Sequence, residues 1–289
     1  MLQVVRVAWV MLTAVVVSGC SHIDIKGLFF PTSDGVQSRF EQSAEMNDEL
    51  KAALLESDES YVFYVATDAH VDKTHDNLTV FNDALRSDTE TAFAVMLGDC
   101  CDVRDNLPRY LNALSYDPER HACDPRIFHV LGNHDIFFNG WEEFKKLVGA
   151  SVYWFEVAFD GGKDLYITLD TATGTLGHKQ TEWLKTFLAN NRSLYRHCVI
   201  LTHTNFFYTD NSQAGSGNMP MEECLSLIDL FSRHNVSLVL QGHDHYREEL
   251  LYNGVNYTVV GAILDEISAP EYLRVTVTSQ GLHLDWHNI

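Results

Sequence analysis

Five short apolar runs in this chain each end on groups that can bind a metal. Tyr61–Ala66 leads into Asp68 and His70, and Phe93–Leu97 leads into Gly98-Asp99. Ile127–Leu131 leads into Gly132-Asn133-His134-Asp135, Cys198–Leu201 into His203, and Val236–Leu240 into Gly242-His243-Asp244-His245. A short apolar run closed by Gly or a polar cluster reads as a buried strand ending at a loop. Segments of helical spacing separate these runs, and strands alternating with helices predict one α/β domain with a largely parallel central part. In such folds ligands gather beyond the carboxyl ends of the strands. Every candidate ligand falls there.

The rest of the chain fits this frame. Helices are expected over 43–57 (Met46, Leu50, Ala53 and Leu54, with Ser43 as N-cap), 77–91, 107–114, 141–148, 181–190 and 221–234. Segments 152–159 and 165–169 should form a hairpin across Asp160-Gly161-Gly162. The tail alternates over 255–260, 273–278 and 282–286, with its last turn at Ser279-Gln280-Gly281. Residues 204–223 form a long polar, Gly-containing loop, either a surface excursion or a substrate-facing flap. Phe206, Phe207, Tyr208, Phe137, Phe138 and Trp141 could pack as core or rim a cleft.

Residues 1–19 read as a targeting segment. Arg6 is the only charge before the apolar run 7–17, which is too short to span a bilayer as a helix. Val17-Ser18-Gly19-Cys20 resembles the lipobox of bacterial lipoproteins, which implies lipid modification of Cys20 as the first mature residue. An ordinary signal peptide or an uncleaved anchor is the alternative. Ser21 in place of an Asp points, within that resemblance, to the outer membrane. Residues 20–41 read as a tether and 42–289 as the catalytic domain.

A formal net charge of −20 over 289 residues repels nucleic acid and anionic lipid, so recognition of either through a basic patch is not expected. Apart from Cys20 there are Cys100, Cys101, Cys123, Cys198 and Cys224. An exported chain could join Cys101 to Cys123, while Cys198 and Cys224 read as buried small hydrophobes. No CxxC spacing suggests a zinc knuckle.

Neutral imidazoles mixed with carboxylates suit zinc, iron or manganese, whereas an all-oxygen set would suit magnesium or calcium. Asp68 and His70, like His243 and His245, are two apart, so an extended exit would point both side chains the same way. The candidates are too many for one tetrahedral site, and two cations are the simpler assignment. Asp170, which ends an apolar run, reads as a capping or loop residue. Asp102 either orients the loop of Asp99 or is plain solvent-facing charge. His75, His121, His129, His178, His197, His234, His283 and His287 have no ligand-like neighbours and read as structural.

The ordered blocks Asp68-Ala69-His70, Gly98-Asp99, Gly132-Asn133-His134-Asp135, His203 and Gly242-His243-Asp244-His245 resemble the pattern of the calcineurin-like metallophosphoesterase superfamily. The resemblance implies a four-layer α-β-β-α sandwich. It implies one metal on Asp68, His70 and His245, a second on Asn133, His203 and His243, and Asp99 bridging both. His134 would stabilise the phosphate or protonate the leaving oxygen, with Asp135 positioning its ring. The implied reaction is hydrolysis of a phosphomonoester or phosphodiester by a hydroxide held between two divalent or transition metals (Mn, Fe or Zn). The competing reading is a non-catalytic metal-binding or scaffolding lipoprotein of the same fold. A small phosphate ester is the expected partner, with no nucleic-acid polymer, and the expected location is the bacterial cell envelope through a lipid anchor.

Overall fold

The structure is a computed structural model that describes residues 34–101, 104–207 and 218–289. The targeting segment, Cys20, most of the tether, Asp102, Tyr208 and the centre of the 204–223 loop lie outside the described residues. Helix α1 (Val36–Met46) leads through a tight turn into strand β1 (Lys51–Glu56). Then follow β2 (Tyr61–Ala66), α2 (Asp76–Ser87), β3 (Thr91–Met96), α3 (Leu107–Ala113), β4 (Arg126–His129) and α4 (Gly140–Leu147). The hairpin β5 (Tyr153–Phe159) and β6 (Gly162–Thr168) precedes α5 (Gly177–Asn191), β7 (Cys198–Leu201), α6 (Met221–Arg233) and β8 (Leu238–Gln241). Strands β9 (Glu248–Tyr252), β10 (Val255–Val259), β11 (Glu271–Thr278) and β12 (Gly281–Asn288) complete the chain.

Two sheets result. One has seven strands in the order β1-β5-β6-β7-β8-β10-β9, the other five in the order β12-β11-β2-β3-β4. Strands β2, β3 and β4 are parallel, as are β6, β7, β8 and β10. The layering follows from side-chain alternation. Along β2 every residue is buried. Tyr61, Phe63 and Val65 enter one apolar cluster, while Val62, Tyr64 and Ala66 enter another. In β7, Val199 and Leu201 face the first of these, and Cys198 and Ile200 face a third. The central parallel strands of both sheets are thus covered on both faces, which is why they read as continuous apolar runs and not as alternating ones. The three clusters separate four layers, helix-sheet-sheet-helix, as the resemblance implied.

The space between the sheets is filled by rings. Phe63 stacks on Phe93 at 4.9 Å and Phe128 on Phe155 at 3.7 Å, with Tyr166 at 4.8 Å from Phe155. Burying one such ring contributes roughly 1.5–3 kcal/mol.

Three expectations are corrected. Residues 43–57 are not one helix: α1 ends at Met46, and Lys51–Glu56 is an edge strand paired with β5. Its Lys-Ala-Ala-Leu-Leu-Glu composition favours helix, but pairing with β5 prevails. The tether does not reach residue 41, because α1 begins at Val36 and packs on the domain through Val36, Arg39 and Ser43. Arg39 is wholly buried and grips Asp170 through two bonds, Nε to Oδ2 at 2.7 Å and Nη2 to Oδ1 at 2.9 Å. Asp170 also accepts the Ala172 N–H at 3.2 Å, so it is both a loop cap and an ion-pair partner. Cys101 and Cys123 are not joined in a disulfide; both are thiols, as are Cys100, Cys198 and Cys224. Trp141 and Phe206 are core residues, and Phe207 packs partly buried against Tyr257.

Candidate metal centre

The loops leaving β2 and β3 are zipped together. Backbone N–H groups of Asp68, His70 and Val71 each donate at 3.0 Å, to the carbonyls of Gly98, Asp99 and Cys100. The third loop, after β4, presses against them at Gly132. A Cβ on Gly132 would lie 2.1 Å from Asp99 Oδ1, so only glycine fits. Gly98 has φ +101°, and a Cβ there would lie 2.8 Å from both Gly132 Cα and His203 Nδ1. The two motif glycines therefore bring three loops into contact.

Asp68, His70, Asp99, His243 and His245 all have positive φ, between 42° and 75°. The extended exit expected for the two-apart pairs is not what forms. Each ligand pair instead stands on left-handed backbone, which L-residues with a Cβ adopt at a cost and which clusters at functional sites.

Asp135 is buried and its carboxylate accepts three backbone N–H groups: Gly132 at 2.8 Å, Asp99 at 2.9 Å and Cys100 at 2.8 Å. The bonds observed at Asp135 thus tie the β3 and β4 loops together, where a ring-positioning role had been expected. Burial, then the nearby Asp99 charge, raise its carboxyl to about 6.

The candidate ligand atoms converge on two spots. His245 Nε2 lies 3.3 Å from Asp68 Oδ1 and 3.2 Å from His70 Nε2. His203 Nε2 lies 3.2 Å from Asp99 Oδ2 and 3.1 Å from Asn133 Oδ1. Asp99 Oδ2 is also 3.7 Å from His70 Nε2, so it stands between the two spots. Asp68, His70 and His245 form one group able to hold an ion, and Asp99, His203 and His243 another. A third combines His70, Asp99 and His134, whose ring meets that of His70 edge-on at 4.6 Å.

The donor set fits cations on three counts. Among the described residues, Asp68 Oδ1 and His243 Nε2 are buried without hydrogen-bond partners, which is costly unless something satisfies them. His203 Nδ1 is 2.7 Å from the carbonyl of Leu97; a carbonyl only accepts, so Nδ1 carries the proton and Nε2 turns its lone pair on Asp99 and Asn133. Three acceptors that close require a positive centre. Consistently, burial pushes the His203 imidazole down, yet the Asp99 charge and hydrogen bond outweigh it and raise it to about 9. A proton there holds the place a cation would take. Asp99 shows the counterpart: burial raises its carboxyl, and His203 brings it to about 2. Burial pushes the Asp68 carboxyl up, yet the His245 and His70 imidazoles beside it outweigh burial and hold it well below the usual carboxylate range. His243 is lowered by burial and by His203, which keeps its nitrogen free as a ligand.

Residues not singled out beforehand support this set. Thr67 Oγ1 donates to Asp68 Oδ2 at 2.7 Å, and the His243 N–H donates to the same oxygen at 2.9 Å. Asn205 Nδ2 donates to Asp244 Oδ2 at 2.7 Å, and Gln241 Nε2 to the Thr204 carbonyl at 3.1 Å, linking the His203 and His243 loops. Their only sequence signal is adjacency to the ligands. Phe137 lies 4.8 Å from the His134 ring and rims the site.

An α-β-β-α sandwich with such a cluster beyond its parallel strands is a metal-binding scaffold. The sequence profile of the calcineurin-like phosphoesterases matches residues 61–247, and the chain belongs to that family. Among solved structures it is similar to a dimetal phosphatase from Danio rerio (13% identity, TM-score 0.61, covering 79% of this chain and 96% of that one). It is also similar to GAP50, the anchor in the inner membrane complex of Plasmodium (14%, TM-score 0.59, 79% and 84%). A third is the purple acid phosphatase PPD1 from yellow lupin, Lupinus luteus (14%, TM-score 0.60, 80% and 52%). At these identities the likeness is one of fold. Among curated proteins none matches significantly.

Proposed function

We propose that this chain is a dinuclear metal-dependent phosphoesterase acting on a small phosphate ester, monoester or diester. The observation that carries the reading is the pair of acceptor clusters sharing Asp99, with no ligand of the family pattern missing. Asp68, His70 and His245 would hold one cation, Asn133, His203 and His243 the other, and Asp99 both. Manganese, iron and zinc all suit these donors. When bound, two such cations supply Lewis-acid polarisation of the phosphoryl oxygens and acidify water.

The chain's own residues do the rest. Asp135 and the motif glycines hold the ligand loops in register, so the charge arrangement exists before substrate arrives. His134, held between His70 and Phe137, faces the cluster and serves as proton donor to the leaving oxygen or as a hydrogen-bond donor to the phosphate. The acidic composition and the lack of a basic, aromatic-interleaved stretch favour a small substrate over a polynucleotide. The lipobox-like segment favours a lipid-anchored enzyme of the cell envelope, with Cys20 as anchor. Among the described residues no helix is long and apolar enough to cross a membrane.

The test is hydrolysis of p-nitrophenyl phosphate and bis-p-nitrophenyl phosphate by metal-stripped protein, then after resupply of manganese or zinc. Metal-restored turnover supports the reading, and the ratio of rates ranks monoester against diester. Absence of turnover with any metal, at two bound ions per chain, would favour the non-catalytic reading.

A further inference from the structure

A cavity of about 430 Å³ opens beside edge strand β4, bounded by the end of α4 and the start of β5. That volume suits a small ligand. None of the metal-site residues lines it.

Its charge is opposite to that of the chain. Arg126 and Lys145 line the cavity beside the His121 and His129 rings, and among the described residues no carboxylate does, although the net charge is −20. The Arg126 guanidinium sits 5.0 Å over the Phe128 ring and, among the described residues, has neither an ion-pair partner nor a hydrogen-bond acceptor. An arginine left without a carboxylate on so acidic a protein is unusual, since its forked donors match planar oxyanions. Lys145, by contrast, donates to Gln42 Oε1 at 2.8 Å and Glu142 Oε1 at 2.9 Å.

His129 is 2% exposed, its ring held between Tyr110 and Tyr116 at 5.7 and 5.3 Å, so it closes the wall as a packed ring. The walls supply apolar surface through Tyr116, Phe128 and Tyr153.

We propose that this cavity is a binding site for a small organic anion, an aromatic or apolar body carrying one carboxylate. Arg126 takes the carboxylate with its fork of N–H donors. The body lies against the rings of Tyr116 and Tyr153. A single unpaired guanidinium, with Lys145 already shared, matches a monoanion and not a phosphate dianion. The site stands independently of the proposed phosphoesterase activity.

The experiment is calorimetric titration of the full manganese-loaded chain with 4-hydroxyphenylacetate, against 4-hydroxyphenylacetamide, which has the same body without the charge. The carboxylate should bind and the amide should bind at least tenfold more weakly. Arg126→Gln should weaken the carboxylate by about ten- to a hundredfold, and Arg126→Lys by less, with hydrolysis of p-nitrophenyl phosphate unchanged in both. Equal binding of acid and amide, no binding, an unchanged Arg126→Gln, or competitive inhibition at the metal centre would each overturn the proposal. Should Arg126→Gln fold poorly, a crystal of the unaltered protein soaked in the carboxylate decides. Density with the carboxylate at the Arg126 guanidinium supports the site, and density elsewhere or none rejects it.

Discussion

Nε2 of His203 lies 3.2 Å from Oδ2 of Asp99, while the opposite nitrogen of the same ring is pinned to the Leu97 carbonyl. The ring is therefore fixed in orientation, with Nε2 aimed at the cluster, before any cation arrives. It belongs to a constellation in which one carboxylate serves two groups of ligands. Separating metal binding from catalysis is then a matter of choosing which side chain to remove.

Asp99→Ala should abolish metal binding and hydrolysis together, because Asp99 is common to both clusters. His134→Ala should keep close to full metal content and lose about 10²–10⁴-fold in turnover, the usual worth of a positioned proton donor. Metal content by mass spectrometry beside kcat checks both. Equal metal loss in the two variants would show that His134 is a ligand.

Metal binding should release a proton. Without metal His203 titrates at about 9, so at neutral pH its Nε2 carries a proton that a cation must displace. Apparent affinity should thus rise by up to about tenfold per pH unit between pH 7 and 9 and level off above. Titrations in buffers of different ionisation enthalpy measure the released proton directly. The same raised value means that the protonated His203–Asp99 pair stabilises the metal-free fold fully below about pH 6.5 and ceases to do so above about 9.

The buried Arg39–Asp170 pair bolts α1 to the segment after β6. Arg39→Ala leaves a buried carboxylate without its cation and should cost about 3–5 kcal/mol of stability. Replacing both, Arg39→Met with Asp170→Leu, should recover most of that loss. Urea unfolding of the three proteins gives the comparison, and a double variant as unstable as Arg39→Ala would contradict it.

His129 should impose an acid limit on stability. Burial lowers it to about 3, so between roughly pH 6.5 and 3 the unfolded chain binds a proton the folded one refuses. Stability from this group is intact above about 6.5 and falls by at most about 1.4 kcal/mol per unit as pH drops towards 3. His129→Phe should flatten the stability–pH curve in that interval.

Much of this was legible in the sequence because buried parallel strands announce themselves as unbroken apolar runs, and the loops after them carry the ligands in order. Lys51–Glu56 was not, since an edge strand written in helix-favouring residues is decided by its neighbour β5 and not by its own composition. Helix α1 was hidden by its own buried face. Val36, Arg39 and Ser43 occupy it, and an arginine and a serine break the apolar stripe by which an amphipathic helix is recognised. The left-handed backbone at five ligands is likewise invisible beforehand. It is imposed by the contact of loops from different strands, which no local pattern encodes. Asp135 stood out as part of the central tetrapeptide, yet its three backbone partners come from folding the β3 loop against the β4 loop.

The central claim is that two cations sit beyond the strand ends and share Asp99. The most direct measurement is an anomalous difference map from crystals of the protein loaded with manganese. The account predicts two peaks about 3.5–4 Å apart, one among Asp68, His70 and His245, the other among Asn133, His203 and His243, with Asp99 between them. A single peak, peaks away from Asp99, or none at saturating manganese would contradict it.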